Sequence, residues 1–246
     1  MTKFEKISVI IPAHNEEEFI EGCLIAILSA AELVSVEVEI IVVLNRCTDK
    51  TQEIAEQYEA ICIADESRCI AAVRNKGCFA ATGDIIVTCD ADSRLHKNSL
   101  MLVLKALSKN NIIGGGMRIT FDRYSPGIRA TQLLLDMAEK VTRLPCGAFW
   151  TTKSAFLAVS GFDESLTIAE DVYFAKKLKA YGKSISKKYI LLKGSPLVTS
   201  TRKFDHFGDW MLLKMVFFDF FKIRRSLKGI DTAFADEYFH DFNDRK

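Results

Sequence analysis

The sequence predicts an α/β fold in which helices flank a mostly parallel sheet, followed by a smaller second half and a C-terminal helix. Short β-branched runs alternate with helical segments through the first half, which is typical of repeated strand–helix units. These runs are apolar throughout rather than alternating, as in strands buried on both faces of a parallel sheet. With 246 residues, of which 49% are hydrophobic, the chain can bury one extended core.

Residues 1–110 consist of four strand-then-helix units. Thr48, Asp49 and Ser67 precede helical segments and are candidate helix caps. The predicted strands are 7–11, 39–44, 60–64 and 84–89, and the predicted helices are 16–33, 49–58, 67–82 and 97–109.

The regular alternation ends after residue 110, where three glycines at 114–116 permit a bend within a strand. We find no internal repeat or flexible linker, so we predict one domain over 1–228 and a separate tail over 229–246. The predicted elements are strands 112–120 and 145–152, helices 128–142 and 170–181, extended pieces 184–191 and 196–200, and a C-terminal helix 210–228.

Charge, the N-terminal segment and cysteine content predict the partners, the location and the thiol state of the protein. Lys and Arg total 33 against 32 for Asp and Glu, so no overall positive field favours a nucleic-acid partner. The N-terminus resembles neither a signal peptide nor a spanning helix, and we expect a cytoplasmic location. The seven cysteines show no C-x-x-C spacing, so we expect buried, reduced thiols.

Polar, acidic loops follow three of the predicted strands, at 12–17, 45–51 and 90–94. In open α/β sheets, ligands bind outside the carboxyl ends of the strands. The sequence therefore predicts a ligand site at this edge, although such loops also serve as solvated connections.

Asp90-Ala91-Asp92 places two carboxylates at the end of a buried strand. Mg2+ and Mn2+ take oxygen ligands and commonly bind through one or two carboxylates together with substrate phosphates. A departing diphosphate needs such a cation, because charge builds on its oxygens as the bond breaks. Two Asp residues at a strand end are also ordinary turn formers, so this motif alone leaves both interpretations open.

Glu170 and Asp171 stand at the start of a predicted helix. Carboxylates are stabilised there by the helix dipole, which gives an ordinary structural explanation. A transferase acting on a hydroxyl group also needs a base to remove the acceptor proton, and Asp171 is the natural candidate.

Together these pieces resemble the family 2 glycosyltransferases, which transfer sugars from nucleotide sugars and have the GT-A fold, a Rossmann-like sheet. The resemblance covers about 160 residues and rests on six motifs in the family's order. They are IIPAHNEE (10–17), NRCTDKT (45–51), RNKGxxxAxGDII (74–86), DAD (90–92), GFDE (161–164) and AEDV (169–172).

The resemblance implies a nucleotide-sugar-binding half over 1–110, with Asp92 as the firmer ligand of Mg2+ or Mn2+. Asp90 would face both the ribose and the metal, beside Ala91. Arg74 and Lys76 would meet ribose and phosphate oxygens, or else be exposed helix charges. The nucleoside pocket would be formed by Pro12, His14, Asn15 and Glu16, with Asp49 on the base.

The resemblance also implies an acceptor-side half over 111–228, with Asp171 as the base of an inverting transfer and Glu170 orienting the neighbouring site. Gly147, Ala148 and Phe149 would line the acceptor entrance. Trp150 would either stack on a sugar or belong to the core.

Two segments depart from the family pattern. Leu44-Asn45-Arg46-Cys47 stands where many relatives have Asp-Asp-Gly-Ser, so one acidic contact to the nucleoside is either replaced by the amide of Asn45 or lost. The Gln-x-x-Arg-Trp signature of processive synthases is absent, which favours a single transfer. Instead, a predicted loop carries Arg202, Lys203 and His206, which would either close over the diphosphate, with His206 as a further metal ligand, or be a solvated basic stretch.

The resemblance implies a nucleotide-diphospho-sugar donor and a sugar, lipid-linked or small-molecule hydroxyl acceptor. The helix 210–228 either packs on the domain or lies on the inner face of a membrane through its phenylalanines and Arg224 and Arg225. The tail 229–246 either docks on a second copy in a homodimer or frays. Two alternative functions remain, a nucleotidyltransferase of similar fold and an inactive nucleotide-sugar-binding scaffold.

Overall fold

The computed structural model describes residues 4–145, 147–166 and 169–218. The strands are β1 Lys6–Ala13, β2 Glu37–Asn45, β3 Ile61–Asp65, β4 Ile85–Thr88, β5 Ser93–Arg94, β6 Ile112–Phe121, β7 Gly147–Thr152 and β8 Lys188–Thr199. The helices are α1 Ile20–Ala31, α2 Thr51–Gln57, α3 Ile70–Ala80, α4 Ser99–Leu107, α5 Pro126–Thr142, α6 Lys153–Ala158, α7 Glu170–Ser184, α8 Arg202–Phe207 and α9 Met211–Phe218.

One mixed sheet of strand order β3-β2-β1-β4-β7-β6-β8-β5 runs through both halves of the described chain. Strands β3, β2, β1 and β4 are parallel, and β6 is parallel to β8. Strand β7 is antiparallel to both β4 and β6, and the short β5 is antiparallel to β8. The prediction of a mostly parallel α/β sheet is confirmed.

Helices cover both faces of the sheet, which explains the continuously apolar strands. Ile7, Val9 and Ile11 of β1 pack on the face covered by α1 and α4. Ile10 points to the opposite face, where α3, α6 and α7 lie. All four side chains are fully buried, and each such burial contributes about 1.5–3 kcal/mol.

Glycine in α3 allows this helix to approach the sheet closely. A Cβ at Gly77 would lie 2.8 Å from Cγ2 of Val43 and would collide with Cγ2 of Ile10. The glycine of the RNKG motif therefore serves helix–sheet packing. This packing fixes the height of α3, which carries Arg74, above the strand ends.

Three predicted elements need correction. The extended pieces 184–191 and 196–200 form one strand, β8, whose pairing with β6 jumps from Met117–Leu192 to Ile119–Leu197. Residues 193–196 are thus a bulge, and residue 184 ends α7. The predicted loop around Arg202 is the helix α8, and the helix α6 was not predicted.

Of the predicted helix 210–228, the described part is α9, which ends at residue 218. Residues 219–246, including Arg224, Arg225 and the tail 229–246, lie outside the described residues. Among the helices that are described, none has the length and apolar character needed to cross a membrane.

The described cysteines are free thiols. Cys23, Cys78 and Cys89 are buried, as expected. The prediction of burial is wrong for the other three described cysteines, which are partly exposed because they lie near the ends of strands and helices rather than in the centre of the core. They are Cys47, Cys62 and Cys69, and Cys146 lies outside the described residues.

Candidate active site

A cavity of about 390 Å³ lies at the carboxyl ends of β1, β2 and β4, where the sheet rule predicts a ligand site. The start of α7 and the start of α8 close its other sides. The predicted site residues that line it are Pro12, His14, Glu16, Asn45, Arg74, Asp90, Ala91, Asp92, Glu170, Asp171 and Arg202.

Asn45 at the end of β2 fixes one wall of the cavity. Its side-chain amide donates to Oδ1 of Asp65 at 3.0 Å and to the carbonyl oxygen of Ser67 at 2.6 Å. Its own carbonyl oxygen accepts a hydrogen bond from Nδ1 of His14 at 2.6 Å. The amide at this departure from the family pattern therefore ties the end of β2 to the loop after β3, and the backbone of Asn45 adds the contact with His14.

Asn15 and Asp49 do not line the cavity, and their side chains join the first two loops instead. Oδ1 of Asn15 accepts from the backbone N–H of Thr48 at 2.8 Å. Asp49 accepts from the backbone N–H groups of Glu17 and Thr51 at 2.9 and 3.0 Å. Neither residue lines the cavity, and their contact with a nucleoside stays a prediction.

Asp90 is bound to Arg74, a buried side chain from α3. Nη2 of Arg74 donates to Oδ1 of Asp90 at 2.9 Å, and Nη1 donates to Oε1 of Glu170. Partial burial opposes ionisation of Asp90, but the positive charge of Arg74 outweighs it and lowers the pKa. With 11% of its side chain exposed, Arg74 is a buried bridge and not an exposed helix charge.

Arg202 makes a corresponding bridge from α8. Its Nη1 and Nη2 donate to the two carboxylate oxygens of Glu16 at 2.7 and 2.6 Å, and Nη2 also lies 3.1 Å from Oδ2 of Asp92. The guanidinium stacks on the ring of Phe19, 4.6 Å from its centroid. Lys203 also lines the cavity, and desolvation lowers its pKa against the opposing pull of Asp92. Asp90 and Asp92 thus each face a guanidinium.

Asp171 begins α7 beside Glu170. Burial raises the pKa of Asp171 to about 6, and the negative charge of Glu170 adds to this, while Arg74 opposes it. The backbone N–H of Val172 donates to Oδ1 of Asp171 at 2.6 Å, which fixes the carboxyl group. A carboxyl group with a pKa near neutrality is suited to accept a proton from a bound hydroxyl group.

Asn75, which sequence reasoning quoted only as part of a motif, holds the loop before α7. Its amide donates to the carbonyl oxygen of Phe162 at 2.9 Å and to Oε1 of Glu164 at 2.8 Å, and its Oδ1 accepts from the N–H of Phe162 at 2.8 Å. Gly161 has φ +60°, and a Cβ there would lie 2.5 Å from that same Oδ1. The RNKG and GFDE motifs are therefore the two halves of one contact.

Two further predicted residues lie outside the cavity. Lys76 donates to the carbonyl oxygen of Ala64 at 2.6 Å and pairs with Asp65. His206 is exposed on α8, with its ring 4.6 Å from that of Phe207. Arg202 and Lys203 of the same helix line the cavity and His206 does not, so its metal contact stays a prediction.

The predicted acceptor entrance is also misplaced. Gly147, Ala148 and Phe149 are buried in β7, and Phe149 packs on Phe162 and Phe174. Trp150 is fully buried, so of its two predicted roles the place in the core is the one that the structure shows. Their strand was predicted correctly, but its central place in the sheet keeps these side chains away from the cavity.

The cavity also contains Arg46 and Arg68, which sequence reasoning did not assign. Arg46 has φ +51°, a conformation that turns the chain sharply after β2. Arg68 precedes α3. The sequence could have indicated both residues, because each is a basic residue in a loop, after β2 or after β3, that borders the predicted site.

Asp90 and Asp92 offer the oxygen ligands that Mg2+ or Mn2+ prefers. The described residues contain no group of three or more His, Cys, Asp or Glu side chains arranged to hold an ion. Two carboxylates suit a cation that takes its remaining ligands from a bound diphosphate and water, so these side chains fit such an ion.

Comparison with known proteins places this cavity in a family context. Residues 8–157 match the model of Glycosyl transferase family 2. Glycosyltransferase AglE of Haloferax volcanii is 34% identical over 123 residues, or 47% of this chain and 40% of that protein. Undecaprenyl-phosphate 4-deoxy-4-formamido-L-arabinose transferase of Photorhabdus laumondii is 32% identical over 128 residues, or 47% of this chain and 38% of that protein. The match thus spans about two fifths of each relative's length.

Solved structures share the fold at low sequence identity. S. aureus TarS 1–349 in complex with UDP-GlcNAc has a TM-score of 0.66 at 18% identity, over 96% of this chain and 71% of that one. The mannosyltransferase PcManGT from Pyrobaculum calidifontis, in complex with GDP-Man and Mn2+, has a TM-score of 0.65 at 19% identity, over 96% and 70%. The GT-A fold is thereby confirmed.

Proposed function

Because the chain belongs to glycosyl transferase family 2, we propose that it transfers a sugar from a nucleotide-diphosphate donor to an acceptor hydroxyl group. One observation carries this proposal. The carboxylates of Asp90 and Asp92 and those of Glu170 and Asp171 line the same cavity, at the sheet edge where nucleotides bind in α/β folds.

Donor binding draws on residues of both halves, with Asn45 and His14 on the nucleoside side. Arg74, Arg202 and Lys203 face the diphosphate, where guanidinium and ammonium groups pair with phosphate oxygens. Asp90 and Asp92 would hold Mg2+ or Mn2+, which when bound supplies positive charge to the leaving diphosphate.

Asp171 is the base in this proposal. The acceptor oxygen forms a bond to the anomeric carbon as the bond from that carbon to the diphosphate oxygen breaks, and the acceptor proton passes to Asp171. One in-line displacement inverts the configuration at the anomeric carbon. Glu170, tied to Arg74, keeps the start of α7 against the donor side of the cavity.

The relatives indicate which donor bases and which acceptor to test first. Bound donors of the structural relatives are UDP-GlcNAc and GDP-Man, so both bases belong in a screen. One sequence relative is named for transfer to undecaprenyl-phosphate, which makes a lipid-linked acceptor at the cytoplasmic face of a membrane the first choice to test.

The deciding experiment measures release of nucleoside diphosphate from a panel of sugar nucleotides with Mn2+. We expect turnover with one donor, lost in Asp92→Ala and Asp171→Asn with folding intact. Asp136→Asn, which changes an aspartate of α5 that pairs with Arg118 and does not line the cavity, is the matched control and should retain activity. Donor binding without turnover in the wild type would indicate a scaffold. Formation of nucleoside triphosphate and sugar 1-phosphate when pyrophosphate is added to the sugar nucleotide would indicate a nucleotidyltransferase.

A further inference from the structure

The outer face of α5 presents a row of exposed apolar side chains. Leu133, Met137 and Val141, here called the apolar row, are 61%, 55% and 82% exposed. Spaced four residues apart, they lie on one face of the helix. The opposite face is buried through Ile128 and Thr131. Single exposed apolar residues are ordinary, but a contiguous row marks an interaction surface.

Basic residues stand at both ends of the apolar row. Arg129 lies one turn before Leu133, and Lys140 and Arg143 flank Val141; all three are exposed. Two acidic residues of α5 stand near the row in sequence. Asp136 is held by Arg118 of β6 through bonds of 2.8 and 2.5 Å. Glu139 is two residues from both Met137 and Val141, a spacing that turns it away from the row. The outer face of α5 is therefore an apolar band with cationic ends.

The helix α9 lies beside α5 and contacts it on the side of Leu135, away from the apolar row. Leu212 of α9 packs with Leu135 of α5 and Phe204 of α8 in one cluster. Next to this contact, Trp210 and Val216 are 49% and 43% exposed. Tryptophan, with an apolar ring and one polar N–H, is favoured at the boundary between lipid and water.

We propose that the apolar row docks on an anionic lipid surface, with Leu133, Met137 and Val141 among the headgroups and the basic residues against lipid phosphates. A helix with one apolar face and basic flanks binds in this way through apolar burial and attraction to anionic lipid. This surface is separate from the cavity, so the proposal does not depend on the proposed transfer reaction.

Charge favours a lipid surface over a second copy of the chain. A two-fold pair brings the same patch against itself. The cationic ends of one copy would then face those of the other, and like charges in contact are unfavourable. Lipid phosphates complement the same residues without that repulsion.

Co-sedimentation of the full chain with vesicles tests the proposal. We expect binding to vesicles of phosphatidylcholine and phosphatidylglycerol at low salt, and much weaker binding to phosphatidylcholine alone. The variant Leu133→Ser/Met137→Ser/Val141→Ser should bind about tenfold more weakly. Ile25→Ser/Leu28→Ser, at two exposed apolar positions of α1, is the matched control and should bind like the wild type.

Oxidation of Met137 by hydrogen peroxide, followed by mass spectrometry, shows what covers the apolar row. Anionic vesicles should slow this oxidation, whereas the free monomer should react readily. Failure of the wild type to bind vesicles, or equal binding by the triple variant, overturns the proposal. Protection of Met137 in the free protein also overturns it, and light scattering then shows whether a second copy or the chain itself provides the cover.

Discussion

Asp171 differs from an ordinary aspartate because it loses its proton about two pH units later. Burial and the adjacent Glu170 raise its pKa to about 6. Below that pH the group is protonated and cannot accept the acceptor proton. We therefore expect kcat/KM to fall about tenfold per pH unit below pH 6, as for any single essential base. A pH profile at saturating metal measures this, and an acidic limb near pH 4 would contradict it.

The raised pKa of Asp171 also makes the stability of the folded state depend on pH. Between the unfolded pKa of 3.8 and the folded value of about 6, the folded state holds a proton that the unfolded chain has released. Neutral Asp171 thus favours folding at low pH, and this contribution is lost as the pH rises through 6. Asp171→Asn should remove that pH-dependent loss, which unfolding in urea at pH 5 and pH 7 will measure.

Arg202 and Glu16 form a bidentate pair between residues 186 positions apart, with 14% and 9% of their side chains exposed. Arg202→Ala leaves Glu16 buried without this guanidinium, which should cost about 3 kcal/mol of unfolding free energy. Adding Glu16→Gln should recover part of that loss, because the uncompensated charge disappears. Urea unfolding of the two single variants and the double variant measures the coupling.

The matched control for that cycle is Arg123→Ala, which breaks more exposed pairs with Asp205 and Asp209. Its effect on the urea midpoint should be much smaller, since exposed ion pairs contribute little. Equal losses for Arg123→Ala and Arg202→Ala would show that burial does not set the strength of the Arg202 pair.

At the scale of elements, α3 positions the loop that leads into α7. Asn75→Ala removes the hydrogen bonds to Phe162 and Glu164 and should cost about 2 kcal/mol of stability. Because α7 carries Asp171 and not the donor contacts of the first half, kcat should fall more than donor affinity. Steady-state kinetics and calorimetric donor binding separate the two effects.

Asn98→Ala is the control for Asn75→Ala. It precedes α4, where its side chain makes no capping hydrogen bond. Asn98→Ala should leave both stability and kcat nearly unchanged. If Asn75→Ala also left kcat unchanged, the loop 161–164 would not position Asp171.

Local pattern predicted the elements where packing and periodicity agree, and failed where tertiary contacts decide. The buried strands β1, β2 and β4 follow from their apolar runs, and the place of Asp90 follows from the sheet rule. The place of Asp171 in the same cavity was implied only by the family resemblance. The bulge at 193–196 read as a break, because its glycine and proline signal a turn when the pairing partner β6 is unknown. The helix α8 is short and depends on Phe204 packing against Phe121, a contact that local pattern cannot show.

At the scale of the whole described molecule, the cavity is lined by equal numbers of acidic and basic side chains. Five acidic side chains, Glu16, Asp90, Asp92, Glu170 and Asp171, face five basic ones, Arg46, Arg68, Arg74, Arg202 and Lys203. A divalent cation alone must compete with Arg74 and Arg202 for the aspartates. A nucleoside diphosphate alone brings negative charge to a site that has little excess positive charge.

Metal and nucleotide should therefore bind cooperatively, each improving the site for the other by the same factor. Ligand at 100 times its Kd adds about 2.7 kcal/mol of stability, which for a domain of this size raises Tm by roughly 5–11 °C. We expect Mn2+ with UDP or GDP to raise Tm by more than the two separate shifts combined, and Asp92→Ala to abolish the excess. Strictly additive shifts in the wild type would mean that metal and diphosphate do not share the aspartates, because a shared cation necessarily couples the two affinities.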